Sequence, residues 1–137
     1  MPVHHISLPV PFSQVDAEVS FLVAAFGHMD IKEFMRPVPG VVGMGDDRPF
    51  LWIVGLDKKH EPVPDDAQIT RIHLALSAKD RSQVDAFHAA ALKAGGTCNG
   101  PPGLRPEYHS DYYGAFVISP GGHNIEAVVH GPPAGEN

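Results

Sequence analysis

A pentapeptide that occurs twice limits the fold of this chain more than any other feature. Ser13-Gln14-Val15-Asp16-Ala17 returns, residue for residue, as Ser82-Gln83-Val84-Asp85-Ala86. Each copy follows a short apolar strand that opens with histidine, first His5-Ile6-Ser7-Leu8 and then His73-Leu74-Ala75-Leu76. Strand, histidine and helix start recur in one order, with a one-residue difference in the loop between them. Duplication explains this better than a chance match.

Each Ser-x-x-Asp segment reads as a helix start. Ser13 and Ser82 are the expected caps, and Asp16 and Asp85 sit near the positive end of the dipole. The first helix is expected to bury Val15, Val19, Leu22, Val23 and Phe26, and the second Val84, Phe87, Ala91 and Leu92. Gly27 and Gly95-Gly96 are the expected left-handed stops. Short strands follow each helix: Gly40 to Met44 and Pro49 to Leu56 in the first half, Tyr113 to Ser119 and Asn124 to His130 in the second. Pro120-Gly121-Gly122 is a hairpin signal. The expected fold class is α+β. Module one spans about 1–56, a charged, proline-bearing linker about 57–68, module two about 69–130, and a frayed Gly/Pro-rich tail 131–137.

Composition narrows the function classes. The 137 residues suit one globular domain, with 43% hydrophobic and 19% charged residues. The net charge is −6, and the scattered Lys and Arg form no stripe for nucleic acid or an anionic membrane. No apolar run approaches the roughly twenty residues that cross a bilayer, and no signal-peptide pattern is visible. A lone cysteine, Cys98, makes a cytoplasmic location the default expectation.

Strand alternation selects among the nine histidines. Ile6, Leu8 and Val10 share one face of the first strand, and Val3, His5 and Ser7 the other. Ile72, Leu74 and Leu76 oppose His73, Ala75 and Ser77. In the last strand Ile125, Ala127 and Val129 oppose Glu126, Val128 and His130. Three separate strands therefore aim His5, His73 and Glu126 away from their helix-packing faces. If the sheet curls they converge as two imidazoles and a carboxylate, a set that holds one divalent metal and leaves positions open. The competing reading is structural: a hydrogen-bonded strand histidine, and Glu126 paired with a cation such as Arg71. His4 faces the helix, His88 suits packing, His123 lies in a turn, His60 in the linker and His28 at a helix end. His109 and His130 stay open as groups for proton transfer.

The residues that carry a family likeness are His73-Leu74-Ala75-Leu76, Val84-Asp85-Ala86-Phe87-His88, Gly103-Leu104-Arg105-Pro106, Tyr112-Tyr113-Gly114-Ala115-Phe116 and Asn124-Ile125-Glu126-Ala127-Val128. With His5-Ile6-Ser7-Leu8-Pro9-Val10, they make nearly the whole chain resemble the vicinal oxygen chelate superfamily of glyoxalase I, bleomycin-resistance proteins and extradiol dioxygenases. The resemblance implies two tandem βαβββ modules with curled mixed sheets forming a concave site, and metal ligands on the first and fourth strands of each. His5, His73 and Glu126 match three such positions, while the fourth falls at about Trp52, whose indole binds no metal. That departs from a four-ligand glyoxalase I and leaves the ligand set of the dioxygenases. The tyrosine those enzymes carry about ten residues before the carboxylate is replaced here by Phe116.

The reading favoured by the sequence is a metal-dependent enzyme acting on a small oxygen-bearing molecule, as a glyoxalase-like lyase or isomerase or as a dioxygenase. The ion would be Fe, Mn, Ni or Zn. Trp52 and Tyr108 are the candidate substrate-binding residues, and His109 and Tyr113 the candidate proton carriers. The resemblance also implies a homodimer, with the site either within one chain or combining residues of two. The alternative is a metal-free binding or drug-sequestering protein of the bleomycin-resistance type, with Trp52 stacking on a flat ligand.

Overall fold

A computed structural model describes residues 3–57, 59 and 68–132. Most of the expected linker, His60 and the end of the expected tail lie outside them. The first half runs β1 (Ile6–Pro11), α1 (Val15–Phe26), β2 (Lys32–Val38), β3 (Val41–Gly45) and β4 (Pro49–Leu56). The second runs β5 (His73–Ser77), α2 (Arg81–Lys93), β6 (Thr97–Leu104), β7 (Tyr112–Ile118) and β8 (Asn124–His130). Each half forms a four-stranded mixed sheet of identical order, β1-β4-β3-β2 and β5-β8-β7-β6. In each, the first strand lies parallel to the last. Two βαβββ modules are present, as the repeat predicts. No helix among the described residues is long and apolar enough to cross a membrane.

The helices pack against one face of each sheet and against each other, where Phe26 and Phe87 stack with centroids 4.7 Å apart. Two expected core residues, Val23 and Leu92, are exposed instead. Phe21 and Ala25 take the burial on α1, because that helix meets both its own sheet and the second module. Phe21 reaches Gly96, where an added Cβ would come within 2.7 Å of its ring.

The helix ends also differ from expectation. Asp80, not Ser82, caps α2: its carboxylate accepts from the Gln83 amide at 2.9 Å and from the Ser82 hydroxyl at 2.7 Å. Ser13 caps nothing among the described residues, since a 3₁₀ turn over Phe12–Gln14 leads into α1. Gly27 is helical, and the left-handed residue is Asp30, three residues on. Gly95 does adopt positive φ, as expected.

A buried clasp joins the modules. Glu18 on α1 is fully buried, and its Oε2 accepts from the Gly121 amide in the β7–β8 turn at 2.6 Å. His123, also fully buried, donates from Nε2 to the Pro9 carbonyl of β1 at 2.6 Å and accepts at Nδ1 from the Ile72 amide at 3.0 Å. A carbonyl only accepts and an amide only donates, so these two bonds assign the neutral Nε2–H tautomer.

Candidate functional site

Cross-strand register decides which side chains share the open face of the second sheet. Ala75 stands opposite Glu126, Glu126 opposite Phe116, and His130 opposite Tyr112. With the alternation of each strand, His73, Glu126, His130, Tyr112 and Phe116 lie on the face away from α2. Glu126 is 1% exposed, yet it sits among polar groups. His73 Nε2 donates to its Oε1 at 2.7 Å, and the Tyr112 hydroxyl donates to its Oε2. Both carboxylate oxygens are thus satisfied, which is what a buried carboxylate requires. Gly114 leaves the room, since a Cβ there would stand 3.1 Å from Glu126 Oε2 and 3.2 Å from the Tyr112 ring. Burial, then the hydrogen bond to Glu126, holds the Tyr112 phenol above its ordinary range, so it remains a donor at neutral pH.

Aromatic rings extend this group outward. His130 lies 5.0 Å from Tyr112 and stacks on His109 at 5.2 Å and 11°. His109 Nδ1 accepts from the Asp111 amide at 3.1 Å, which leaves Nε2 as the nitrogen carrying the proton. Tyr108, 68% exposed, is 5.2 Å from Tyr112. Phe116 stands 5.9 Å from His73, and the Arg105 guanidinium lies over its outer side.

The remaining candidates lie elsewhere. Tyr113 points to the helix side, where its hydroxyl donates to Asp85 at 2.6 Å and Arg81 covers its ring. The bond to Asp85, then burial, raises its phenol pKa. A group held there faces away from Glu126, so Tyr112, not Tyr113, is the tyrosine beside that carboxylate. Trp52 lies on the open face of the first sheet, opposite Ser7 and Gly43, and its ring occupies the space a Cβ of Gly43 would need. His5 immediately precedes β1, is exposed, and shares an Nδ1–Nδ1 hydrogen bond with His4 at 2.9 Å. It lines a cleft of about 510 Å³ with Phe50, Arg48, Ala75 and Ser77.

The register makes the repeat relation of these residues explicit. His5 comes two residues before Ser7, which faces Trp52; His73 comes two before Ala75, which faces Glu126. Trp52 is therefore the positional counterpart of Glu126. The single chain unites His73 with Glu126 and leaves His5 apart, and no three His, Cys, Asp or Glu side chains among the described residues are placed to hold a metal ion. His73 Nε2 and Glu126 Oε1 do fit part of such a site: one nitrogen and one oxygen donor converge on a single point of an open face.

No protein-family model and no curated protein matches the sequence. Solved structures do match along nearly its full length. A glyoxalase/bleomycin resistance protein from Albidiferax ferrireducens is 25% identical, with 93% of this chain and 97% of that one aligned at a TM-score of 0.69. A glyoxalase-related enzyme from Fulvimarina pelagi is 21% identical over 94% and 88%, with a TM-score of 0.73. A lactoylglutathione lyase from Agrobacterium tumefaciens is 16% identical over 93% and 92%, with a TM-score of 0.67.

Proposed function

We propose that this chain, which has the fold of the vicinal oxygen chelate superfamily, is a homodimeric metal-dependent enzyme of the glyoxalase-like or dioxygenase-like kind. Its substrate is a small organic molecule with two adjacent oxygens. His73 and Glu126 of one copy and His5 of the partner copy would hold one divalent ion, Fe, Mn, Ni or Zn. The observation that carries this reading is the 2.7 Å approach of an imidazole nitrogen to a buried carboxylate on an uncovered sheet face. The repeat equivalent of His73, His5, is exposed just ahead of β1 in the other module. An ion held there would supply Lewis acidity to substrate oxygens. A cytoplasmic setting goes with this reading, since Cys98 is a free, exposed thiol.

The chain's own residues would do the rest. Tyr112 fixes the plane of the Glu126 carboxylate and holds its proton at the phenolic oxygen. His130 lies one ring beyond and is placed to accept or return a substrate proton at an imidazole nitrogen, while His109, stacked on it, offers its Nε2 proton. Phe116 covers one end of the face, and the exposed ring of Tyr108 stands at the other, placed to stack on a ligand.

Metal content and subunit complementation test this directly. Protein purified without chelator should carry close to one ion per chain and run as a dimer. His5→Ala and His73→Ala should each lose it. Subunits of the two variants mixed and exchanged to a statistical population should regain about one quarter of the sites, because half of the dimers then carry one intact set. Failure of the mixture to regain metal would sink the shared site. A second reading, metal-free binding of a flat ligand, is favoured by the full protein partnering of Glu126 and by Trp52 at the fourth position. It becomes the correct one if wild type neither carries nor takes up any of the four ions.

A further inference from the structure

Arg105 follows directly on β6 and lays its guanidinium over Phe116, 5.4 Å from the ring centroid. That ring is the one beside His73, so the cation lies one aromatic ring away from the His73–Glu126 pair. Strand β6 is shaped around it. Gly100 and Gly103 flank two prolines where the ladder to β7 is irregular. A Cβ at Gly100 would stand 3.2 Å from Arg105 Nη2, and one at Gly103 would stand 3.1 Å from Nη1.

The guanidinium is only partly engaged. Nη2 donates to the Pro101 carbonyl at 2.7 Å, and Nη1 makes a long contact to the Leu104 carbonyl at 3.4 Å. A guanidinium has five N–H donors, and no carboxylate meets this one among the described residues. Arg36, by contrast, is paired with both Asp16 and Glu33. In a chain of net charge −6, an unneutralised cation held in a glycine cradle beside a ligand face is a local exception to a field that repels anions.

We infer that Arg105 anchors an anionic group of the ligand, and that the molecule bound on this face is a small organic carboxylate. The inference deepens the proposed function by naming the substrate class, and rests on that reading only for what the other end of the molecule does. A planar fork receives a carboxylate through two parallel, charge-assisted bonds, while Phe116 holds the guanidinium plane from below.

The test uses chelator-stripped protein, so that no ion binds the probe, and follows benzoate and its neutral isostere benzamide by NMR titration at constant ionic strength. Wild type should bind benzoate at least about tenfold more tightly than benzamide. R105Q should abolish the difference. R105K, which keeps the charge and loses the fork, should retain only part of it. G103A keeps the arginine but displaces its tip, and should lower the preference about threefold; it decides the matter if R105Q does not fold. Equal binding of the two probes by wild type, or an unchanged preference in R105Q or G103A, overturns the anchor. Metal content is measured separately, so either reading can fail while the other stands.

Discussion

Ser7 of the first half stands opposite Trp52, and Ala75 of the second stands opposite Glu126. An indole and a carboxylate thus occupy the same place in two copies of one sheet. The neighbours have changed with them. Gly43 faces Trp52 and makes space for the ring, whereas Phe116 faces Glu126 and screens it. The second half surrounds its carboxylate with two donors and a shell of rings. The first presents a stacking surface and, just ahead of β1, an exposed His5 bonded to His4. Duplication has preserved the backbone register while the chemistry on it has diverged.

The largest expected break of this asymmetry comes from Glu126→Ala. It removes the only oxygen donor of the proposed set, and Zn or Mn affinity measured calorimetrically should fall by at least about a hundredfold. Retained affinity would place the ion elsewhere. Tyr112→Phe keeps the ligands and orphans one buried carboxylate oxygen. Leaving such an acceptor unpaired costs about 1–3 kcal/mol, readable as a lower urea midpoint at unchanged slope. A variant as stable as wild type would mean that Tyr112 contributes nothing to holding Glu126.

Much of this could be read along the chain, and the exceptions share one cause. The repeat, both helices and the faces of His73 and Glu126 follow from local patterns: a shared pentapeptide, helical spacing and strand alternation. Tyr112 against Tyr113 does not. Alternation places adjacent residues on opposite faces, but which of the two lies with Glu126 depends on pairing Phe116 with Glu126, a cross-strand fact. His123 sits in a turn and looks incidental, yet Pro9 and Ile72, far off in sequence, close on both of its nitrogens. Asp80 displaces Ser82 as the cap because the loop enters α2 extended, at φ −155° and ψ 173°, two residues earlier than the repeat suggests. The separation of His5 from its expected companions is likewise invisible to alternation, which gives the face of a strand and not the distance between sheets.

Trp52→Glu sharpens the comparison by making the first half resemble the second. If the two open faces meet across a dimer, the new carboxylate becomes a fourth donor, and metal affinity should rise about tenfold. Half-buried Trp52 also covers Gly43, so some stability is lost at the same time. Unchanged affinity, measured by competition with a chromogenic chelator, would show that Trp52 does not face the ion.

The smallest effect separates the two helix starts. Asp80 caps α2, while α1 has no side-chain cap among the described residues. The Ser82 hydroxyl, then the Gln83 amide, lowers the Asp80 pKa below its ordinary 3.8. A carboxyl whose pKa is depressed by folding stabilises the fold above its unfolded pKa, and that contribution fades as pH falls through the folded value. Asp80→Ala should therefore melt slightly below wild type at pH 7, and the gap should narrow at pH values below about 4 as wild type loses the charged cap. Asp16→Ala, in the first turn of α1, removes a carboxylate that among the described residues caps nothing and pairs with exposed Arg36 on the surface. Its melting difference should stay within noise across the same range. A gap of equal size and pH dependence in both variants would mean that the two helices begin alike after all.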